Sequence, residues 1–210
     1  MESLRQAAQE FLGIAVDAVK KIEEEKVETN NRATLLIIDD APTKAKELFA
    51  SVRGRPWTSR EKFSPLPITV HHEMGAGEGL AFTKIYLNQQ DIIEDEAQNA
   101  GKDTTHAPFI IAMDGSLPIR QNDEKPEQSM GYQTTEDIIK FCRGSEGDEE
   151  HPIPYFIGYS MENSSNKGLQ RLLEKYNASD KYLGQYTDNE AELRSVLDNL
   201  VTNTAKIDNS

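Results

Sequence analysis

Short apolar runs alternate along the chain with amphipathic stretches. The apolar runs predict β-strands at residues 34–38, 68–74, 108–113, 153–160 and 181–186. Apolar positions three and four residues apart predict helices at residues 42–52, 78–98, 132–143, 163–177 and 187–203. Because strand and helix alternate five times, the pattern favours an α/β fold, in which helices cover both faces of a parallel sheet.

The first strand is a nearly continuous apolar run, as expected of a parallel strand buried on both faces. We therefore predict a doubly wound sheet of five parallel strands in the order 2-1-3-4-5. In such a sheet the first and third strands are neighbours. Ligands bind outside the carboxyl ends of the strands, where the strand order reverses. The long polar segments between the elements are predicted to be loop insertions at the surface.

An amphipathic segment precedes the first strand. Residues 1–28 are predicted to form a helix and linker, residues 33–200 one domain, and residues 201–210 a C-terminal tail. The apolar stripe of the N-terminal helix must bury against another surface. It either docks on its own domain or forms a homodimer, and the sequence favours neither.

The charge of the chain excludes two classes of partner. Its 210 residues have a formal net charge of -13, which repels nucleic acid and anionic lipid, so we expect neither as a partner. The single cysteine, Cys142, excludes an intramolecular disulfide and fits a reducing compartment. No apolar run reaches membrane-spanning length, and the N-terminus lacks a signal-peptide core. We therefore expect a cytoplasmic protein, with Cys142 packed in the core.

Two short motifs suggest chemistry but have simpler explanations. The sequence GAGEG at residues 75–79 is predicted to be a turn, since it lacks the Lys-Ser/Thr ending of a phosphate-binding loop. The adjacent His71 and His72 would point to opposite faces of a strand, so they cannot easily share a metal ion.

Acidic residues end the two strands that the predicted order makes neighbours. Asp39 and Asp40 follow the first strand, and Asp114 follows the third. Three carboxylates at one edge cannot all stay ionised without a cation, and oxygen ligands suit a hard divalent ion, with Mg²⁺ the default. Alternatively, Asp39 or Asp40 caps the following helix. That explanation does not account for Asp114.

These motifs resemble those of a known family. The acid pair in LLIIDD, the MDGSLP turn containing Asp114, and Gly131 at the start of the next helix are similar to motifs of receiver domains. Receiver domains are the phospho-accepting modules of two-component response regulators. The resemblance covers residues 33–200 and implies a flavodoxin-like fold and a part in a phosphorelay.

The resemblance implies a role for each site residue. Asp39, Asp40, Asp114 and the backbone carbonyl of Ser116 would hold Mg²⁺. Asp114 would accept a phosphoryl group from a histidine kinase or a phosphotransfer protein. The phosphorylated protein would then act on a downstream protein target.

Two further residues would couple phosphorylation to signalling. Ser160 would donate a hydrogen bond to the phosphoryl oxygens, although an alignment shifted by one residue puts Tyr159 there instead. Tyr182 would be the aromatic switch, which swings inward when Ser160 moves.

One position departs from the family pattern. The family has a lysine three residues after the switch aromatic, and here that position is Gln185. Glutamine can donate a hydrogen bond but carries no charge, so a cationic stabiliser is missing. Lys181 and Lys167 are candidate substitutes, but their spacing does not demand the role.

These features favour a stand-alone, atypical receiver that is not an enzyme beyond its own phosphotransfer and autodephosphorylation. The alternative is a pseudo-receiver, a binding module that is never phosphorylated. A phosphatase with an aspartate nucleophile is disfavoured, because such enzymes usually have a second acid two residues later, where this chain has Ser116.

Overall fold

The computed structural model describes most of the predicted domain. It covers residues 33–55, 64–99, 101, 107–118, 127–128, 130–144, 150–159, 163–185 and 190–207. The predictions for residues 1–28 and for Ser160 lie outside these ranges. Within them, no helix combines the length and the apolar character that crossing a membrane requires.

The strands of the main sheet alternate with helices along the chain, as predicted, and two short additional strands follow the third of them. The strands are β1 (Ala33–Ile38), β2 (Ile68–Glu73), β3 (Phe109–Met113), β4 (Ser116–Leu117), β5 (Glu127–Gln128), β6 (Tyr155–Gly158) and β7 (Tyr182–Gln185). The helices are α1 (Pro42–Val52), α2 (Ala76–Asn99), α3 (Met130–Cys142), α4 (Asn163–Lys175) and α5 (Glu190–Ile207). A short 3₁₀ helix, Ser179–Lys181, leads into β7.

Five of the strands form one parallel sheet, which confirms the predicted α/β class. Numbered along the chain, the order is β2-β1-β3-β6-β7. This numbering differs from the predicted 2-1-3-4-5 because β4 and β5 intervene in the chain and form a separate antiparallel ribbon. Strands of two residues are too short to give a hydrophobic pattern, so the sequence did not predict them.

The sheet separates two apolar layers. On one face, alternate residues of the sheet pack with α2, α3 and α4; on the other, they pack with α1 and α5. Every residue of β1 and β3 is buried, as expected for strands covered on both sides. Helices therefore cover both faces of the sheet.

Helix α2 begins earlier than its composition predicts. The GAGEG segment was expected to be a turn, but the helix starts at Ala76 and includes Gly77 and Gly79. A Cβ atom at Gly79 would lie 2.9 Å from Cγ1 of Ile38 on β1, so a side chain there would collide with the sheet. Glycine at this position therefore permits close helix–sheet packing, and this packing outweighs its poor helix propensity.

The strand register sets the position of the acidic residues. Ile38 of β1 pairs with Met113 of β3, so the two strands end side by side. The amide of Asp114 donates to the carbonyl of Ile38 at 3.0 Å, and the amide of Asp39 donates to the carbonyl of Glu73 at 3.1 Å. The sheet thus brings Asp39 and Asp114 to one point on its carboxyl edge.

Candidate metal centre

Three carboxylates converge at the carboxyl edge of the sheet. One oxygen each from Asp39, Asp40 and Asp114 lies within 4.8 Å of the others. Asp39 is fully buried, Asp114 is 7% exposed, and Asp40 is partly exposed. The predicted convergence is therefore observed, with one edge of the cluster open to solvent.

Asp39 has one satisfied oxygen and one unsatisfied oxygen. Its Oδ1 accepts a hydrogen bond of 2.7 Å from the amide of Ala41. Its Oδ2 is buried and has no hydrogen-bond partner among the described residues. A buried, unpaired carboxylate oxygen is costly, and an oxygen-coordinated cation at this point would compensate for that cost. The donor set therefore fits a hard divalent ion.

The helix-cap alternative does not describe the acid pair. The N-cap residue of α1 is Ala41, no side chain caps it, and Pro42 occupies the first turn. Proline suits this position because it has no amide hydrogen to leave unsatisfied. Neither Asp39 nor Asp40 is the capping residue, so capping does not explain the pair.

The electrostatic environment of Asp39 opposes its ionisation. Burial, followed by the negative charges of Asp114 and Asp40, raises the pKa of Asp39 to about 6, although the Ala41 hydrogen bond and the Lys44 charge oppose this change. The charged form is thus disfavoured in the absence of a cation.

We expect Asp39→Asn to stabilise the metal-free protein near neutral pH. Between pH 3.8 and about 6, native Asp39 holds a proton that the unfolded chain has released. The unfolding free energy of the wild type therefore falls as pH rises through this window and stays low above it. The shift of the Asp39 pKa from 3.8 to about 6 corresponds to about 3 kcal/mol of unfolding free energy. We expect the substitution to gain roughly 1–2 kcal/mol, because burying the asparagine amide has a desolvation cost of its own.

This prediction is tested by urea unfolding in chelator at pH 4 and pH 7.5. The advantage of Asp39→Asn over the wild type should be small at pH 4 and larger at pH 7.5. Asp180→Asn serves as the control, because Asp180 is exposed and lies just before β7, at the amino edge of the sheet. If the two proteins differed equally in unfolding free energy at both pH values, the raised pKa of Asp39 would not be the cause of the difference.

A lysine that the sequence analysis did not select lies beside the cluster. Nζ of Lys44, in the first turn of α1, is 4.0 Å from Oδ2 of Asp114. The side chain of Lys44 is 27% exposed. No sequence signal marks this contact, because it joins the first turn of α1 to the residue that follows β3.

Two histidines of β2 confirm the predicted alternation. The ring of His71 packs against that of Phe82, with 4.6 Å between the ring centroids, on the α2 side of the sheet. Nε2 of His72 lies 2.8 Å from the carbonyl oxygen of Asp39. Since a carbonyl only accepts, Nε2 carries the hydrogen and donates it. His72 therefore fixes the backbone at Asp39, whereas His71 packs in the apolar layer on the other face of the sheet.

The turn after Asp114 packs against the start of α3. The amide of Ser116 lies 3.4 Å from Oδ1 of Asp114, a long hydrogen bond. The amide of Gly131 donates to the carbonyl of Gly115 at 3.2 Å. A Cβ atom at Gly131 would overlap the carbonyl oxygen of Asp114. Gly131 thus allows α3 to support the turn, and the role of the Ser116 carbonyl as a metal ligand stays a prediction.

The remaining predicted residues lie on β6 and β7. Gln185 is the last residue of β7. It pairs with Gly158 of β6, which pairs with Met113, the residue before Asp114, so Gln185 lies at the same carboxyl edge of the sheet as Asp114. Tyr182 begins β7, is half-buried and packs against the core on the α2 side. Tyr159 is fully buried and belongs to the other apolar layer.

The two lysines considered as substitutes do not contact the acidic cluster in the structure. Lys181 precedes β7, at the opposite edge of the sheet, where its Nζ lies 4.3 Å from the ring centroid of Tyr155 and 3.8 Å from Oδ2 of Asp180. Lys167 is exposed on α4. Lys181 is thus wrongly placed for the role.

Cys142 is a core residue, as predicted. It is 1% exposed and packs in the layer that contains Ile138 and Ile139. Burial raises the pKa of its thiol to about 12, so the reactive thiolate is absent at neutral pH.

The fold and the site together describe an α/β protein with an acidic, oxygen-rich site at the carboxyl edge of a parallel sheet. Comparisons with models of protein families, with curated proteins and with solved structures found no match. The function is therefore argued from the chemistry of the site, because a fold alone does not determine function.

Proposed function

We propose that the protein is a receiver-like signalling module that accepts a phosphoryl group on Asp114 in the presence of Mg²⁺. The observation that carries the proposal is the convergence of Asp39, Asp40 and Asp114, of which Asp40 is partly exposed to solvent. The parallel sheet, with its reversal of strand order between β1 and β3, is compatible with a flavodoxin-like fold. In that fold, ligands bind at this reversal.

The three carboxylates have different surroundings, which favour different roles. Asp39 is the most buried and has an unpaired oxygen, so it and Asp40 are suited to hold the ion. Asp114 is close enough to contribute an oxygen to the ion and retains limited exposure, so it is suited to be the nucleophile. A bound Mg²⁺ would neutralise charge on the phosphoryl oxygens.

The transfer step needs no proton donor. An oxygen of Asp114 attacks phosphorus, and the bond between phosphorus and the donor's leaving group breaks. With acetyl phosphate as donor, the products are an aspartyl phosphate and acetate, so charge and atoms balance. The hydrogen bond from Ser116 and the turn held against Gly131 fix the orientation of Asp114 during this step.

The proposed output is a change on the face formed by β6, β7, α4 and α5. Tyr182, half-buried on β7, would be the residue that shifts when Asp114 is phosphorylated. A downstream protein would recognise the altered face, and a histidine kinase or phosphotransfer protein would supply the phosphoryl group. Phosphorylation would act by shifting a two-state equilibrium.

The second candidate is a pseudo-receiver that binds a partner protein without phosphorylation. Gln185 favours it, because the uncharged side chain stands where the receiver pattern has a lysine. Under this reading, Asp114 would be a largely buried acid that never carries a phosphoryl group.

Intact-mass measurement separates the two candidates. The protein is incubated with acetyl phosphate and Mg²⁺, and a parallel sample contains a chelator. The first function predicts a gain of one phosphoryl group only with Mg²⁺. No mass gain with Mg²⁺, together with no measurable Mg²⁺ binding by calorimetry, would contradict it and leave the pseudo-receiver.

A further inference from the structure

We propose that Lys44 supplies the positive charge that stabilises the phosphoryl group on Asp114, in place of a lysine at the position of Gln185. The inference rests on the proposed function, since it assigns a residue to the same transfer. The juxtaposition that carries it is the 4.0 Å separation between Nζ of Lys44 and Oδ2 of Asp114.

The backbone that positions the acid pair also positions Lys44. The amide of Ala41 donates to Oδ1 of Asp39 at 2.7 Å, and the amide of Lys44 donates to the carbonyl of Ala41 at 3.1 Å. Helix α1 begins at Pro42, so Lys44 lies in its first turn, one turn from the acids. The lysine is therefore on a rigid element next to the site.

The environment of Lys44 suits contact with an incoming anion. Its side chain is 27% exposed, against 9% for that of Asp114, so Lys44 is the more solvent-accessible member of the pair. Lysine has a flexible stem and a compact charge with three donors. It can therefore move from the carboxylate oxygen to the oxygens of a phosphoryl group bonded to that carboxylate.

Other lysines are less suitable. Lys46 is exposed two residues later on the same helix, and helical residues two positions apart do not face the same side. Lys181 stacks on Tyr155 at the opposite edge of the sheet. Gln185 lies in the correct row but carries no charge.

In the transfer itself, Lys44 forms no bond to phosphorus. The attacking oxygen of Asp114 gains the phosphoryl group and the donor leaves with the electron pair of the broken bond. Negative charge concentrates on the three non-bridging oxygens, where a preorganised ammonium lowers the barrier. Loss of one such stabilising group costs about 100-fold in rate.

The test compares rates of adduct formation from acetyl phosphate at saturating Mg²⁺, followed by intact mass. Lys44→Ala should be about 100-fold slower than the wild type, and Lys44→Arg should retain most of the rate. The matched control, Lys46→Ala, should be unchanged. Adding Gln185→Lys to Lys44→Ala should restore much of the rate, because it returns a cation to the same edge.

A second readout separates a direct role from a structural one. Calorimetry should show that Lys44→Ala binds Mg²⁺ more tightly than the wild type, since the ammonium repels the ion. A merely structural lysine would instead weaken Mg²⁺ binding when removed. An equal adduct rate for Lys44→Ala, or weaker Mg²⁺ binding, would overturn this inference alone. Absence of any wild-type adduct would overturn the proposed function and this inference with it.

Discussion

Asp114→Asn is expected to reduce the phosphoryl adduct to below detection while the protein remains folded. An amide is a far weaker nucleophile than a carboxylate, and Asp114 is the acid at which the proposed bond forms. The substitution also removes a negative charge that raises the pKa of Asp39. The metal-free variant should therefore be at least as stable as the wild type, so loss of the adduct will not reflect unfolding.

The measurement is intact mass after incubation with acetyl phosphate and Mg²⁺, with circular dichroism to confirm the fold. Asp180→Asn is the matched control, because that acid lies near the opposite edge of the sheet and is 75% exposed. This control should give the wild-type adduct. An adduct of unchanged yield in Asp114→Asn would show that another residue accepts the group.

Gly131→Ala is expected to have the second large effect, on stability and on the site together. Alanine normally favours a helix over glycine by about 1 kcal/mol. Here its Cβ would overlap the carbonyl oxygen of Asp114 and lie 2.9 Å from the carbonyl carbon. These are backbone atoms that cannot rotate away, so α3 or the Asp114 turn must shift. We expect a net loss of about 3 kcal/mol in unfolding free energy.

Urea unfolding gives that loss directly, and Gly168→Ala provides a graded comparison. At Gly168 the added Cβ would meet the ring of Tyr132, 2.6 Å from its Cζ atom. A side chain can move, so this variant should lose less stability than Gly131→Ala. If Gly131→Ala is as stable as the wild type, the close packing of α3 on the Asp114 turn is wrong.

The convergence of the acids could be predicted because it depends on few local facts. Asp39 and Asp114 each follow an apolar run, and parallel strands place their carboxyl ends at one edge. The neighbour relation between β1 and β3 then followed from the common doubly wound order. No side-chain packing had to be known.

Details that depend on tertiary contact could not be predicted in the same way. Lysine in a first helical turn is usually solvated, so the contact of Lys44 with Asp114 required the orientation of α1 against β3. The glycine-rich segment that contains Gly79 predicted a turn, but the structure has it in a helix that packs closely on Ile38. In both cases the deciding partner is distant in sequence.

The placement of Lys181 shows a second limit. The sequence set this residue near the predicted switch, Tyr182, and left open whether its charge reaches Asp114. The structure begins β7 at Tyr182, so Lys181 lies at the amino edge of the sheet, one strand length from the carboxylates. The predicted strand at residues 181–186 already has Lys181 at its amino end, but the sequence pattern does not show that its side chain packs on Tyr155 instead of reaching Asp114.

The central claim is that Asp39, Asp40 and Asp114 hold a divalent ion and present Asp114 to a phosphoryl group. The most direct measurement is a crystal structure with Mn²⁺ in place of Mg²⁺ and with beryllofluoride, a mimic of the phosphoryl group. We predict an anomalous peak among the three carboxylates and density for the mimic bonded to an oxygen of Asp114. A well-ordered site with neither feature at saturating concentrations would contradict the account.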